Sequence, residues 1–291
     1  ANGVILISEN GESWTGTFTP SSRDLCGVCG DDFIVAVGDG NTMLWSEDGL
    51  DWEELPPLLF FHFADVLWTG SQYIICGSRG AIFSSLDGMN WVRAAVNGPD
   101  VDIIGSVAWS GQVFVAAATE GKILTSPDGL TWDVFQSVTT NQLLEVYWTG
   151  TEFLIGGQRG TLLRSDDGLT WDDESLDIGY SIHAFASSGN ELVAAADYGS
   201  IIVKSQGQTW ELIDGVNPSG RSMVDIIWSS GSYIAIGLPD NILTSSDGYT
   251  WSLQSIVHDG DVWLNALAES PDEIIVAGVG GAAYSTTDQI N

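Results

Sequence analysis

Three residues before Trp68, Trp109, Trp148 and Trp228 stand Asp65, Ser106, Glu145 and Asp225. Carboxylates that recur at one point of a repeat could converge on a common axis. Two of them across a sugar bond could act as acid and base, the chemistry of a glycoside hydrolase. Several oxygens together could hold a hard cation such as Ca²⁺, although their spacing is not that of a calcium loop. The matching positions elsewhere read Leu25 (with Asp24 beside it), His183 and Asn265, so six of seven are polar. A second set, ahead of the third apolar run of each copy, is Asp39, Arg79, Glu120, Arg159, Tyr198 and Asp240. Arg79 and Arg159 stand out in a chain with six arginines, since a guanidinium grips carboxylates through paired N–H donors. The combined expectation is a ligand funnel built from Asp65, Glu145, His183, Asp225, Asn265, Arg79, Arg159 and Tyr198. The plainer alternative is that residues at a channel mouth are simply wet and the arginines neutralise nearby acids.

Two further features invite chemistry. The run Leu58-Leu-Phe60-Phe61-His-Phe63 would suit a contact patch for a protein or a sugar, or a loop folded down over its own blade. Cys26 and Cys29 have redox-motif spacing. They fall on an expected strand, however, where residues three apart point to opposite faces. With three cysteines in all, a buried structural role is expected.

These residues depend on the repeat that carries them. Trp14, Trp52, Trp91, Trp132, Trp171, Trp210 and Trp251 recur at intervals of 38 to 41 residues. Each follows a short apolar run and a polar turn, as in Ser126-Pro-Asp-Gly-Leu-Thr-Trp132. Between turns the apolar runs are short and rich in β-formers, with no 3.6-residue period. Residues 65–95 divide into four such runs, at 65–68, 73–77, 81–85 and 91–95. A 40-residue period of four strands indicates an all-β fold, a seven-bladed β-propeller, one blade per repeat, with residues 1–291 as one domain. Asp48, Asp87, Asp128, Asp167 and Asp247 each precede glycine, and Asn10 does so in the first copy. They are expected to pin the turns, as type I′ hairpins with positive φ at both central residues. The sixth copy reads Lys204-Ser-Gln206-Gly207 and has lost the pattern apart from Trp210. The tryptophans should fill the space between blades.

Counting strands predicts how the ring closes. There are seven first, seven second and seven outer strands, but eight candidates for the third, because residues 3–8 and 281–285 both fit. The N-terminal segment should complete the last blade, with residues 13–18 as the outermost strand beside 263–278. The surplus strand could add to an edge of another copy.

The turns resemble the Asp-box, or bacterial neuraminidase repeat, with Asp and Gly adjacent here rather than one residue apart. Gly156 through Trp171 is similar to the repeat of the photosystem II assembly/stability factor-like propellers. The resemblance covers almost the whole chain and implies a propeller whose turns are folding elements away from the active centre. It does not select a function, because such repeats occur in sialidases, xyloglucanases, sorting receptors and assembly factors. Arg79, Arg159 and Tyr198 are too few for a sialidase site.

Eight Lys+Arg against 39 Asp+Glu give a net charge of −31. That repels nucleic acid and anionic membranes, and no apolar stretch approaches the ~18 residues of a membrane span. The composition fits an extracellular or periplasmic protein, and equally a marine or high-salt source. The leading expectation is a non-enzymatic binding or assembly scaffold without cofactor, engaging a protein or glycan through the loops opposite the Asp-Gly turns. A glycoside hydrolase, and a structural module of a surface layer, fibre or virion, are the alternatives.

Overall fold

The computed structural model describes residues 2–17, 19–31, 33–58, 61–254, 262–269 and 273–280. Its strands form seven antiparallel meanders, a seven-bladed β-propeller. Blade 2 shows the pattern, running from the channel outward through Phe63–Trp68, Tyr73–Gly77, Ile82–Ser85 and Val92–Arg93. The innermost strands of the other blades are Leu25–Gly30 (blade 1), Ile104–Trp109 (3), Leu143–Trp148 (4), Ile182–Ser187 (5), Met223–Ser229 (6) and Val262–Glu269 (7). Second strands such as Ile34–Gly38 and Phe114–Ala118 are buried along their whole length. This is why they read as continuous apolar runs rather than alternating ones.

The last blade is closed by the N-terminal segment. Asn2–Ser8 pairs with Ile274–Gly280 from Asn2 opposite Gly280 to Ser8 opposite Ile274, and Thr15–Thr17 forms the outer edge. Residues 2–8 therefore take the third place; residues 281–285 lie outside the described residues.

Blade 3 departs from the expected four strands. After Val92–Arg93 the chain does not continue the outer strand of blade 2. Ala95–Asn97 instead crosses to blade 3 and lies parallel to Thr131–Gln136 as a fifth strand. The outer strand it covers has six residues, whereas those of blades 1, 2 and 4 have two. The short ones are acidic or carry arginine, as in Glu53–Glu54 and Asp172–Asp173. Length and charge thus decide which edge is protected by a strand and which by repulsion.

Each tryptophan packs against the preceding blade. Trp132 of blade 3, fully buried, joins Ile74, Cys76 and Ile82 of blade 2; Trp52 of blade 1 joins Ile5, Ile7 and Ile275 of blade 7. Removing a buried aromatic of this kind costs about 3–5 kcal/mol, so these rings are a main source of adhesion between blades.

The Asp-Gly turns are not type I′ hairpins. Only the glycine has positive φ, for example 70° at Gly49, and none of the aspartates does. The loop is longer than two residues and is organised by side chains. Ser46 Oγ accepts from Gly49 N (2.9 Å) and donates to Asp48 Oδ1, which also accepts from the amides of Leu50 and Asp51 (2.9 Å each). Trp52 Nε1 then donates to the Gly49 carbonyl (2.7 Å). Ser126 to Trp132 and Ser245 to Trp251 repeat these bonds. The amides that hold the Asp48, Asp128 and Asp247 carboxylates keep them below the usual carboxylate range, and Asp167 falls to about 2.

Candidate functional site

All seven innermost strands carry a β-bulge at the same place. Cys26, Ala64, Gly105, Leu144, His183, Val224 and Asn265 are the extra residues. The residues just after the bulge are Gly27, Asp65, Ser106, Glu145, Ala184, Asp225 and Ala266. The structural ring therefore differs from the one expected from spacing. His183 and Asn265 belong to the bulge ring, and Leu25 belongs to neither, because blades 1, 5 and 7 end the innermost strand in Gly30, Ser187 and Glu269 and lack the tryptophan that anchors the spacing. The three carboxylates fall in alternate blades, 2, 4 and 6. They line a central cavity of about 480 Å3 to which every blade contributes.

Asp65, Ser106 and Asp225 each accept from a backbone amide of the next blade. An innermost strand has no partner on its channel side, so its inward N–H groups need acceptors. Asp65 Oδ2 accepts from Val107 N of blade 3 (3.0 Å), Ser106 Oγ from Val146 N of blade 4 (3.2 Å), and Asp225 Oδ2 from Leu267 N of blade 7 (2.6 Å). Asn265 Nδ2 reaches the Leu25 carbonyl of blade 1 (2.8 Å). Asp65 and Asp225 follow blades whose ring residues, Gly27 and Ala184, offer no acceptor. Each uses its other oxygen on its own chain, to Val66 N (2.8 Å) and Ile226 N (2.7 Å). A Cβ at Gly27 would lie 3.1 Å from Asp65 Cα, so blade 2 approaches too closely for a larger residue there.

Burial in the channel pushes the Asp225 carboxyl up to about 7, with the charge of Asp65 adding to it. Burial also raises Asp65, and Glu145 more strongly, with both aspartates adding to the latter. Cys26 faces the same cavity, and burial lifts its thiol to about 11; Cys29 packs between blades 1 and 2. Among the described residues, no three His, Cys, Asp or Glu side chains lie close enough to hold a metal ion.

On the upper face, His183 Nε2 meets Asp197 Oδ1 (2.8 Å), which also accepts from Ser222 Oγ (2.9 Å), while Asp197 Oδ2 accepts from Ser181 N (2.8 Å). The hydrogen bond from His183, and these donors with it, hold Asp197 well below the usual carboxylate range.

The loops between second and third strands are three-residue turns with a left-handed central residue. It is Gly40 in blade 1 but Arg79, Glu120, Arg159 and Tyr198 in blades 2 to 5, all at φ 58–59°. Asp39 precedes this position, and in blade 6 Pro239, not Asp240, occupies it. The four large side chains are exposed. Glu120 pairs with Lys122 (2.7 Å), whereas Arg79 and Arg159 make no ion pair with any described residue. Gln158 bonds Gln142 (3.2 Å), and Tyr198, 63 % exposed, lies against Tyr180 with ring centroids 5.1 Å apart.

Phe61 and Phe63 are packed inward and offer no contact patch. They are 6 % and 1 % exposed and close on Phe83 edge-on; Phe60 lies outside the described residues. Arg93 lies over the Phe61 ring, 5.3 Å from the centroid.

No protein-family model and no curated protein matches this chain. Solved structures do match. The chain is similar to YCF48 in a structure of YCF48 bound to D1 peptide, with TM-score 0.74, 16 % identity and coverage of 93 % of this chain and 95 % of that one. It is also similar to YCF48 from Cyanidioschyzon merolae (0.73, 15 %, 92 % and 97 %) and to a chain of the mitotic checkpoint complex (0.68, 14 %, 88 % and 89 %). At these identities the likeness shows the propeller fold.

Proposed function

We propose that this chain is a binding scaffold that holds an acidic peptide segment of a partner protein on its upper face, over blades 2 to 5. One observation carries this. Four consecutive turns place a large side chain where blade 1 has glycine. A non-glycine residue held left-handed costs of order 1 kcal/mol, and strain retained at matching places for exposed side chains is a mark of function. Two of the four are arginines that make no ion pair with a described residue, in a chain of net charge −31. Arg159, next in sequence to Gln158, whose side-chain amide bonds that of Gln142, offers bidentate donors to a carboxylate. That a structural neighbour is described as bound to a peptide supports the reading at the level of the fold. The shared bonding of Ser, Asp, Gly and Trp supports treating the lower turns as a variant of the Asp-box, a folding element on the opposite face.

The test is binding of the whole protein to an array of peptides graded in Asp and Glu content. Acidic members should be retained, and Arg79→Gln with Arg159→Gln should weaken retention at least tenfold while the thermal transition stays in place. Equal retention by the double variant overturns the reading.

A further inference from the structure

The lower outer corner of blade 2 breaks the surface pattern of the repeat. Between the turn serine and aspartate stand Glu47, Asp166 and Ser246 in blades 1, 4 and 6, but Leu86 in blade 2. Directly after the turn tryptophan stand Glu53, Asp172 and Ser252 in the same three blades, but Val92 in blade 2. Both places are exposed in all four blades, so the fold calls for an apolar residue at neither. Leu86 is 77 % and Val92 59 % exposed, and Leu130 of blade 3 faces them at 44 %. The three line a groove of about 320 Å3 with Gln72, Ser84 and Asp87, among others. Gln72 fixes its two walls, because its Nε2 donates both to Ser84 Oγ of blade 2 (2.7 Å) and to the Asp128 carbonyl of blade 3 (3.1 Å). The blade 3 turn also fits closely, since a Cβ at Gly129 would lie 2.7 Å from Ile74.

We propose that this groove between blades 2 and 3 docks a partner segment whose leucine- or valine-like side chains are flanked by lysine or arginine. Two properties select that occupant. The walls are apolar and exposed where matching blades are charged or hydroxylated, and exposed apolar surface that the fold does not need marks a contact. The rim is acidic. Asp87 lines the groove, and Asp128 belongs to the turn that forms its far wall. The amides of Asn90 and Met89 hold the Asp87 carboxyl well below the usual carboxylate range, and those of Leu130 and Thr131 lower Asp128, so both are ionised at neutral pH. No lysine or arginine is among the described residues that line the groove. Arg93, next to Val92, turns to the other face of the strand, over Phe61. A second copy of this chain, at net charge −31, and the acidic segment proposed for the upper face would both meet like charge here. A basic apolar segment covers the leucines and the valine and meets opposite charge at the rim. The groove lies at the lower face, away from the peptide surface, and does not depend on it.

The experiment is binding of the whole chain to an array of peptides with Leu/Val centres flanked by Lys, Ser or Glu, together with Lys-rich peptides that lack the apolar centre. Lys-flanked apolar members should be retained best, and their advantage over Ser-flanked ones should shrink as salt is raised. Leu86→Ser with Val92→Ser, the residues that blade 6 carries at both places, removes apolar surface without adding charge and should weaken retention at least tenfold while the thermal transition stays in place. Leu130→Gln, the residue of blade 5 at that place, should weaken it from the other wall, a check that does not depend on the first variant's folding. Arg79→Gln with Arg159→Gln should bind these peptides as the unaltered chain does, which separates this groove from the upper face. No retention of any Lys-flanked apolar peptide overturns the proposal. So does equal retention by the serine variant, or equal retention of the Lys-rich peptides without an apolar centre. Self-association of the unaltered chain in sedimentation that the serine variant abolishes would make a second copy the occupant and overturn it as well.

Discussion

At the residue scale, the channel carboxylates and the turn aspartates are tuned in opposite directions. Asp225, at about 7 when folded, lies above the ordinary aspartate value of about 3.9. Its penalty is absent while folded and unfolded forms are both protonated, and it accumulates as pH rises from about 4 to 7. The turn aspartates lie below their ordinary value, so their stabilisation is complete above about pH 4 and is lost as pH falls toward the value of about 2 for Asp167. Stability should therefore peak between about pH 4 and 5 and decline toward neutrality; urea midpoints across pH 3–8 check this. Asp225→Asn puts an amide NH2 against one of two backbone N–H groups and should cost about 1–3 kcal/mol at low pH while flattening the decline above pH 4. A midpoint that rises steadily to pH 8 would contradict this assignment. The polar character of Asp65, Glu145 and Asp225 was legible from their place before a tryptophan. Their task was not, since it depends on bulges that no residue type announces and on amides contributed by the next blade.

At the element scale, the turn, the indole and the edge strand each make a separate expectation. Trp132→Ala should cost about 3–5 kcal/mol and Trp132→Phe much less, by chemical denaturation. The Ala95–Asn97 strand covers the long outer strand of blade 3, with Ala95 N donating to the Leu130 carbonyl at 2.8 Å. Val96→Pro should detach it and expose a six-residue edge, seen as concentration-dependent self-association in light scattering; a variant that stays monomeric at high concentration would show that the acidic surface alone protects the edge. Strand number, the Trp positions between blades and the lower-face turns were readable from the period and the Ser-x-Asp-Gly order. The fifth strand was not, because Val92 through Asn97 reads as one run and only the neighbouring blade decides where it breaks. The expected type I′ geometry failed for a related reason: Asp-Gly suits that turn, but a serine two residues earlier and a tryptophan after it impose a larger one.

At the scale of the whole molecule, the ring is held shut by seven residue pairs between Asn2–Ser8 and Ile274–Gly280 rather than by a covalent link. Removing residues 1–17 should leave the second strand of blade 7 with a bare edge, and the ring should lose its single cooperative transition in calorimetry. A synthetic peptide of residues 1–17 should restore it in trans, and a truncated chain that melts like the intact one would show that closure contributes little. The N-terminal segment as the closing piece was foreseeable from one surplus third strand. The closure also has a temporal side. During synthesis Val4, Ile5 and Leu6, all buried in the finished ring, leave the ribosome long before their partners in Ile274–Gly280. Pairing so distant in sequence is slow, since loop entropy is lost before contacts compensate for it. The nascent chain must therefore carry an apolar, unpaired strand until residues 274–280 are made, and that interval is when this protein is most exposed to aggregation and most dependent on a chaperone.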